Sequence, residues 1–529
     1  MKILLEKFGG LYPGIAPHLL PQYAAQVATN CKLTSGALRA WQTPLEVKTL
    51  EKTGTIQGLF FYEGAYWFHW LNAVKAVKSP LANDTWKRVY FCDDGPKMTA
   101  NDVALAGSDY PAVAYTLGVP QPASAPAASV GGTPTSSDPT DAERRAYVFT
   151  YLTKYGEEGV PSAASSMVDV YPGQYVDLSG LLIAPAGNTV ITHKRIYRTN
   201  TGSEDTAYQL VATLAIATTT YKDEVAAEDL GIVLESAEYN EPPSDLTGLT
   251  VLPCGSLAGY RGTEVCFSEP YKPHAWPLAY RVPVESTIQG IGAFSNMLLV
   301  ATSGTPYVLV GDVPGAMSRD KLEIGQACLA PRGMVDMGAY LLYPGPAGLV
   351  RVGSGQYDIV SQALMSQDEW TAYAPSSIHA YLYDNKYLAF YNNGTAGAFL
   401  FDPEAPMFTE LELTASGAYS DPATGKLYLV QDQTVTQFDA GEDLTDYVWK
   451  SRPILTPPVN FGLAQVYADR YPVTLTVYAD KRAVHTQTVL NEEPFRLPSG
   501  FRCRTWELQL EGTATVNQVV LANTPEDLQ

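Results

Sequence analysis

Along most of this chain, apolar and polar residues alternate in short runs that end on Gly, Pro, Asn or Asp. A period of two, rich in β-branched and aromatic residues, predicts many short strands joined by turns; long amphipathic helical windows are hard to find. From 246 to 447 the pattern repeats. NMLLVATSGTPYVLVGD, AYLLYPGPAGLVRVG, KYLAFYNNGTAGAFLFD and KLYLVQDQTVTQFDA each read as a strand, a Gly-rich or polar turn, and a second strand. The equivalent positions Met297, Tyr340, Tyr387 and Leu427 are 43, 47 and 40 residues apart. Periods of about 40–50 residues with a hairpin in each unit predict β-propeller blades, against a plain sandwich with coincidental spacing. GAYWFHWLNAVKAV and WKRVYFCDD place further blades within 1–120.

The repeat is interrupted. Residues 121–142 (QPASAPAASVGGTPTSSDPTDA) are Pro-, Ser-, Ala- and Gly-rich and predict a flexible linker or exposed loop. Residues 143–245 then carry RRAYVFTYLTKYGEEGVPSAAS, KRIYRTNTG (Lys194 to Gly202) and AYQLVATL, and close on Pro242-Pro243. Strands spaced about 8–15 residues apart over about 100 residues predict an inserted immunoglobulin- or fibronectin-III-like sandwich. Residues 448–529 change character again: PVTLTVYADKRAVHTQTVL and TWELQLEGTATVNQVVLA alternate strongly without blade spacing and predict a C-terminal β-domain. The fold expected is therefore all-β: a β-propeller with an inserted sandwich and a C-terminal β-domain.

Composition narrows the function. With 529 residues, 46% hydrophobic and 17% charged, the chain has material for several packed cores. The formal net charge of −20 opposes tight binding to a nucleic-acid backbone but suits a wall past which DNA slides. Residues 448–529 hold eight basic and eight acidic residues, so they are balanced and the remainder carries the excess. The six cysteines (Cys31, Cys92, Cys254, Cys266, Cys328, Cys503) form no C-x-x-C pair, which predicts reduced thiols, with a Cys254–Cys266 bridge as the alternative. Neither a secretory signal nor a run long enough to span a bilayer is read in the chain.

No catalytic, cofactor or metal residues emerge. G-x-S-x-G, H-E-x-x-H and Walker patterns are missing, and the six histidines (His18, His69, His193, His274, His379, His485) never fall at ligand spacing. Gly353-Ser354-Gly355 and Gly290-Ile291-Gly292 read as turns rather than nucleotide loops. Asp93-Asp94, Glu157-Glu158, Asp368-Glu369 and Glu492-Glu493 are adjacent carboxylates, whose side chains diverge on a strand, unlike the convergent pair of a glycosidase. The Asp439–Asp446 run lacks calcium-loop spacing. The expectation is no enzyme and no cofactor.

Several phrases together resemble a known family. FGGLYPGIAPHLLPQYAAQVATNCKLTSGALRAW (Phe8 to Trp41), FSEPYKPHAWP (Phe267 to Pro277), STIQGIGAFSNMLLVATSGTPYVLVG, YGEEGVPS, RIYRTNTG and TPPVNFGLAQVYAD with FRLPSGFRCRTWELQLEG are similar to tail-nozzle proteins of short-tailed bacteriophages, the tail tubular protein B group. The resemblance covers nearly the whole chain. It implies a virion structural protein, assembled in the host bacterial cytoplasm as a hexameric ring below the portal and adaptor. The partners it implies are the portal/adaptor proteins, tail fibres or a tail needle, and translocating double-stranded DNA. The alternative is a phage receptor-binding or fibre-attachment protein recognising bacterial surface glycans.

Overall fold

The computed structural model describes residues 1–201 and 206–528, and the turn expected at Gly202 lies outside them. Residues 1–73, 299–308 and 321–529 form one compact unit, and residues 74–298 with 309–320 form another. The hairpin strands Met297–Thr302 and Tyr307–Val310 carry the chain across this division.

The first unit contains propeller blades of the expected kind. Val335–Asp336, Tyr340–Gly345, Gly348–Gly353 and Gln356–Ile359 form one four-stranded antiparallel meander; His379–Tyr383, Lys386–Asn392, Ala396–Asp402 and Met407–Leu411 form the next. Their central strands are buried on both faces, as in Tyr387–Phe390, which is why these runs read as continuous apolar stretches. The tight turn at Asp384-Asn385 holds both residues at positive φ (48° and 56°), a conformation that Asp and Asn tolerate. In the following sheet Gly417–Ser420, Leu427–Gln431 and Thr434–Gln437 are completed by Leu45–Thr49, nearly 400 residues earlier in the chain. Tyr66–Trp70 pairs with Gly58–Tyr62.

Residues 448–529 do not stand as a separate domain. Their Tyr447–Ser451, Cys503–Gly512, Val473–Ala479 and Arg482–Val489 strands continue the sheet that begins at His379–Tyr383, with Ala25–Thr29 from the N-terminal segment joining the two halves. A second sheet orders Lys2–Leu5, Val516–Ala522, Leu463–Ala468 and Phe495–Arg496. Both sheets bury one core, including Ile3, Leu5, Val466, Leu475, Trp506, Leu508 and Leu521. The correction has a simple cause: without Lys2–Leu5 the apolar Val519–Ala522 stretch would be an open edge.

The second unit holds two further four-stranded meanders. One is Val77–Lys78, Val89–Cys92, Pro96–Thr99 and Tyr115–Thr116; the other is Thr247–Val251, Leu257–Arg261, Glu264–Phe267 and Arg281–Pro283. The inserted sandwich lies between them in the chain. Its sheets, Tyr147–Thr153/Ile191–Thr201/Thr206–Ala215 and Ala127–Gly131/Tyr175–Ser179/Tyr221–Asp223, share a core of Tyr147, Phe149, Tyr151, Val176, Leu178 and Ile196. Glu143–Arg145 pairs separately with Val168–Val170. Residues 121–142 are therefore not simply a linker. Ala127–Gly131 is an edge strand in register with Tyr175–Ser179, and Gly131 lets the Tyr175 ring approach to where a Cβ would lie 2.5 Å away. Small residues on an edge strand mimic linker composition because only one side of the strand is covered.

Candidate functional site

The residues singled out by sequence fall on packing and capping positions. Glu157 and Glu158 diverge: Glu157 accepts from Arg88 Nη1 at 2.7 Å, while Glu158 accepts from Arg195 Nη1 (2.7 Å), Tyr197 Oη (2.7 Å) and Thr150 Oγ1 (2.6 Å). Glu369 closes a capping box with Ser366 at the Gln367–Ala372 helix. Asp93-Asp94 form a hairpin turn, with Asp94 at φ 50°, and Glu492-Glu493 are exposed. Within the Asp439–Asp446 run, Asp439 is taken by Lys32, Tyr383 Oη (3.1 Å) and Gln42 N (2.9 Å), while Lys32 also lies 4.7 Å from the Trp41 ring. The run thus pins the N-terminal segment to the blades. Among the described residues, no group of three His, Cys, Asp or Glu is placed to share a metal ion.

Gly353-Ser354-Gly355 is a turn, with Gly355 at φ 69°. Gly290-Ile291-Gly292 corrects the expectation, because it lies inside the Ile288–Phe294 strand. All six cysteines are free, Cys254 and Cys266 among them. Burial pushes the Cys266 thiol up to about 11 and those of Cys92 and Cys328 to about 12, so these are packing groups rather than nucleophiles. His18 and His193 are exposed; His69 is buried with its Nδ1 3.0 Å from Trp67 O; His485 lies against Phe495.

The family-like phrases acquire a physical reason in the fold. Phe8 packs edge-on against Trp449 (4.9 Å between centroids), and Trp449 Nε1 donates to Gly9 O at 3.0 Å. A Cβ on Gly10 would collide with the Phe408 carbonyl oxygen, so this close backbone approach requires glycine. Gly10→Ala is expected to cost about 1–3 kcal/mol. It should lower the first unit's Tm, and an unchanged melt would show the approach to be dispensable. FSEPYKPHAWP is a self-tied loop. Glu269 N donates to Ala275 O (2.8 Å), Ala275 N to Lys272 O (3.0 Å) and Trp276 Nε1 to Pro273 O (2.9 Å). Ser268, His274 and Trp276 are buried within it, and the Lys272 ammonium reaches Tyr239 and Glu235.

Sequence reading missed the ionic core of the second unit. Arg88 is gripped by Asp84 (Nε to Oδ2, 2.9 Å) as well as by Glu157, and all three side chains are buried. Arg198 Nη1 donates to Asp223 (2.7 Å) and to Val225 O (2.8 Å), and Tyr147 Oη donates to the same carboxylate at 2.8 Å. Among the described residues, Lys194 has no carboxylate partner. Its ammonium donates to the carbonyls of Leu181 (2.9 Å), Leu182 (2.6 Å) and Thr218 (2.7 Å), and burial pulls it down to about 8. Fixed partners hold these groups and position the backbone around them, although Nε and Nη2 of Arg198 are buried without one. Two surface depressions are shallow: one of about 290 Å³ along Lys321–Gly325, and an apolar one of about 340 Å³ around Ile183 and Ile216. No helix among the described residues is long and apolar enough to cross a membrane.

No family model matches the chain, and no curated protein matches it. Solved structures do match weakly. BBS1N, crystallised in complex with ARL6DN, aligns at 11% identity over 75% of this chain and 96% of its own, with a TM-score of 0.30. AztD of Citrobacter koseri aligns at 11% identity over 70% and 98%, with a TM-score of 0.27. An exo-β-1,3-galactanase of Phanerochaete chrysosporium aligns at 8% identity over 72% and 100%, with a TM-score of 0.21. Similarity at this level carries no argument about function. The architecture stands on the chain's own topology: four-stranded antiparallel meanders in series, an inserted two-sheet sandwich, and an all-β fold of the β-propeller class.

Proposed function

We propose that this chain is a non-catalytic virion structural protein, the tail nozzle of a short-tailed bacteriophage, acting as a hexameric conduit below the portal and adaptor. One observation carries the reading: the nozzle-like phrases span Phe8 to Gly512, and those at Phe8–Trp41 and Phe267–Pro277 supply packing knots rather than free surface. Phrases that build the scaffold carry over with the scaffold. The net charge of −20 supports the passage of DNA without retention, because each phosphate held would need a basic side chain. The buried ion pairs of Arg88 and Arg198 suit a body that transmits load.

Two measurements test this. Purified protein is expected to leave duplex DNA unretained at physiological salt, and quantitative mass spectrometry of particles against the portal should give a copy number that is a multiple of six. A copy number near three, or labelling confined to distal fibres, would replace the nozzle with the receptor-binding reading. Tight, salt-sensitive DNA binding would refute the non-sticking wall.

A further inference from the structure

At one end of the longest sheet, four basic side chains stand together without acidic partners. The Val473–Ala479 and Arg482–Val489 strands are joined through Asp480 and Lys481, both in left-handed backbone (φ 46° and 68°). Asp480 N donates to Thr505 O at 2.9 Å, and Thr505 N donates back to the Asp480 carboxylate at 3.3 Å. The turn therefore abuts the start of the Cys503–Gly512 strand, which places Lys481 and Arg482 at the same end of the sheet as Arg502 and Arg504. All four are exposed, and none is in an ion pair among the described residues. Asp480, the carboxylate between them, is occupied by Thr505 N and the Cys503 thiol.

Two further features adjoin this end. The Ile454–Val459 strand pairs there, with Leu455 opposite Thr505 and 68% exposed. Arg482–Val489 is the last strand of its sheet, so its outer backbone groups form an open edge that starts at this turn. A merely solvated face would intersperse charges of both signs and keep its edge short. An exposed leucine, an unpaired edge and uncompensated cations together have the character of an interface. The chain itself supplies the complement. Because residues 448–529 are charge-balanced, the whole excess of acid lies on residues 1–447.

We propose that this basic end docks, head to tail, on the acidic surface of a second copy of the chain. A contact between two different surfaces of identical chains is heterologous, and it closes into a ring when the rotation between copies permits. The proposal names the surface behind the oligomer in the reading above. A nucleic acid is the other partner these cations would accept.

The test uses the purified full chain in sedimentation velocity at about 50 mM and about 500 mM salt, conditions that differ several-fold in screening length. The reversal K481E/R482E/R502E/R504E should weaken self-association at low salt by about 10-fold or more, and high salt should weaken the wild type similarly. The neutral variant K481Q/R482Q/R502Q/R504Q, checked for an unchanged Tm, should fall between them and guards against misfolding. Unchanged association in both variants overturns the proposal, as does a wild type that stays monomeric at low salt. Retention of duplex DNA by the wild type, lost in the variants while association persists, overturns it in favour of a polyanion. The particle copy number is read independently, so a failed interface and a failed nozzle assignment are distinguishable.

Discussion

Between pH 6.5 and 4.5 each unit is expected to lose on the order of 2–3 kcal/mol of stability through one histidine. In the second unit, burial, followed by the nearby Arg88 and Lys272, pulls His274 from 6.5 to about 3. In the first, burial and then Arg332 pull His379 down to about 3, with its ring stacked 5.2 Å from Phe390. Nδ1 of each ring is buried without a hydrogen-bond partner, so a proton there would find no acceptor. Both groups have a folded pKa below the unfolded one. The stability they contribute is complete above 6.5 and is lost as the pH falls, because the unfolded chain takes up protons that the folded chain refuses. Glu157 works in the opposite sense: burial raises its carboxyl, so its own protonation favours the folded state as acid is added. Denaturant melts at pH 7, 5.5 and 4.5 separate these terms. The H274Q/H379Q variant should give a distinctly flatter profile than wild type, and an identical slope would remove the histidines from the acid response.

What could be read in the sequence followed contact distance along the chain. The hairpins Tyr340–Gly353, Lys386–Asp402 and Leu427–Gln437 pair residues only a few positions apart, so alternation and turn chemistry were enough to locate them. The pairings of Lys2–Leu5 with Val519–Ala522 and of Leu45–Thr49 with Thr434–Gln437 join distant segments and leave no local mark. For that reason residues 448–529 looked self-contained although their sheets are completed from the N-terminal segment. Ala127–Gly131 failed differently, since an edge strand of small residues has the composition of a linker. At the candidate site, the divergence of Glu157 and Glu158 followed from strand geometry, but their partners did not. Arg88 is 69 positions from Glu157 and Arg195 is 37 from Glu158. The GEEG stretch looks like a polar turn until the fold supplies the cations on either side of it.

That buried ionic core sets the largest single-site effect expected. Arg88→Met should destabilise the second unit by about 3–5 kcal/mol, because it leaves Glu157 and Asp84 buried without their cation. Loss of packing alone would be smaller, since Met retains most of the apolar stem. The two causes separate in a cycle. If desolvated charge dominates, R88M/E157M should recover most of the loss, as a buried pair replaced by apolar groups is often close to neutral. Asp84 still sits beside the altered site, so recovery should be incomplete and should rise further in R88M/E157M/D84N. Thermal or denaturant melts of wild type, R88M, E157M and R88M/E157M give the coupling energy directly. Additive losses would instead mean that Arg88 acts as a packing residue and that the carboxylates reach water. The interaction also predicts a pH signature. In the R88M single variant the uncompensated Glu157 carboxyl should protonate more readily than in wild type, so the stability gap between the two should narrow as acid is added. A gap that stays constant from pH 7 to 4.5 would sink the charge-based account of this core.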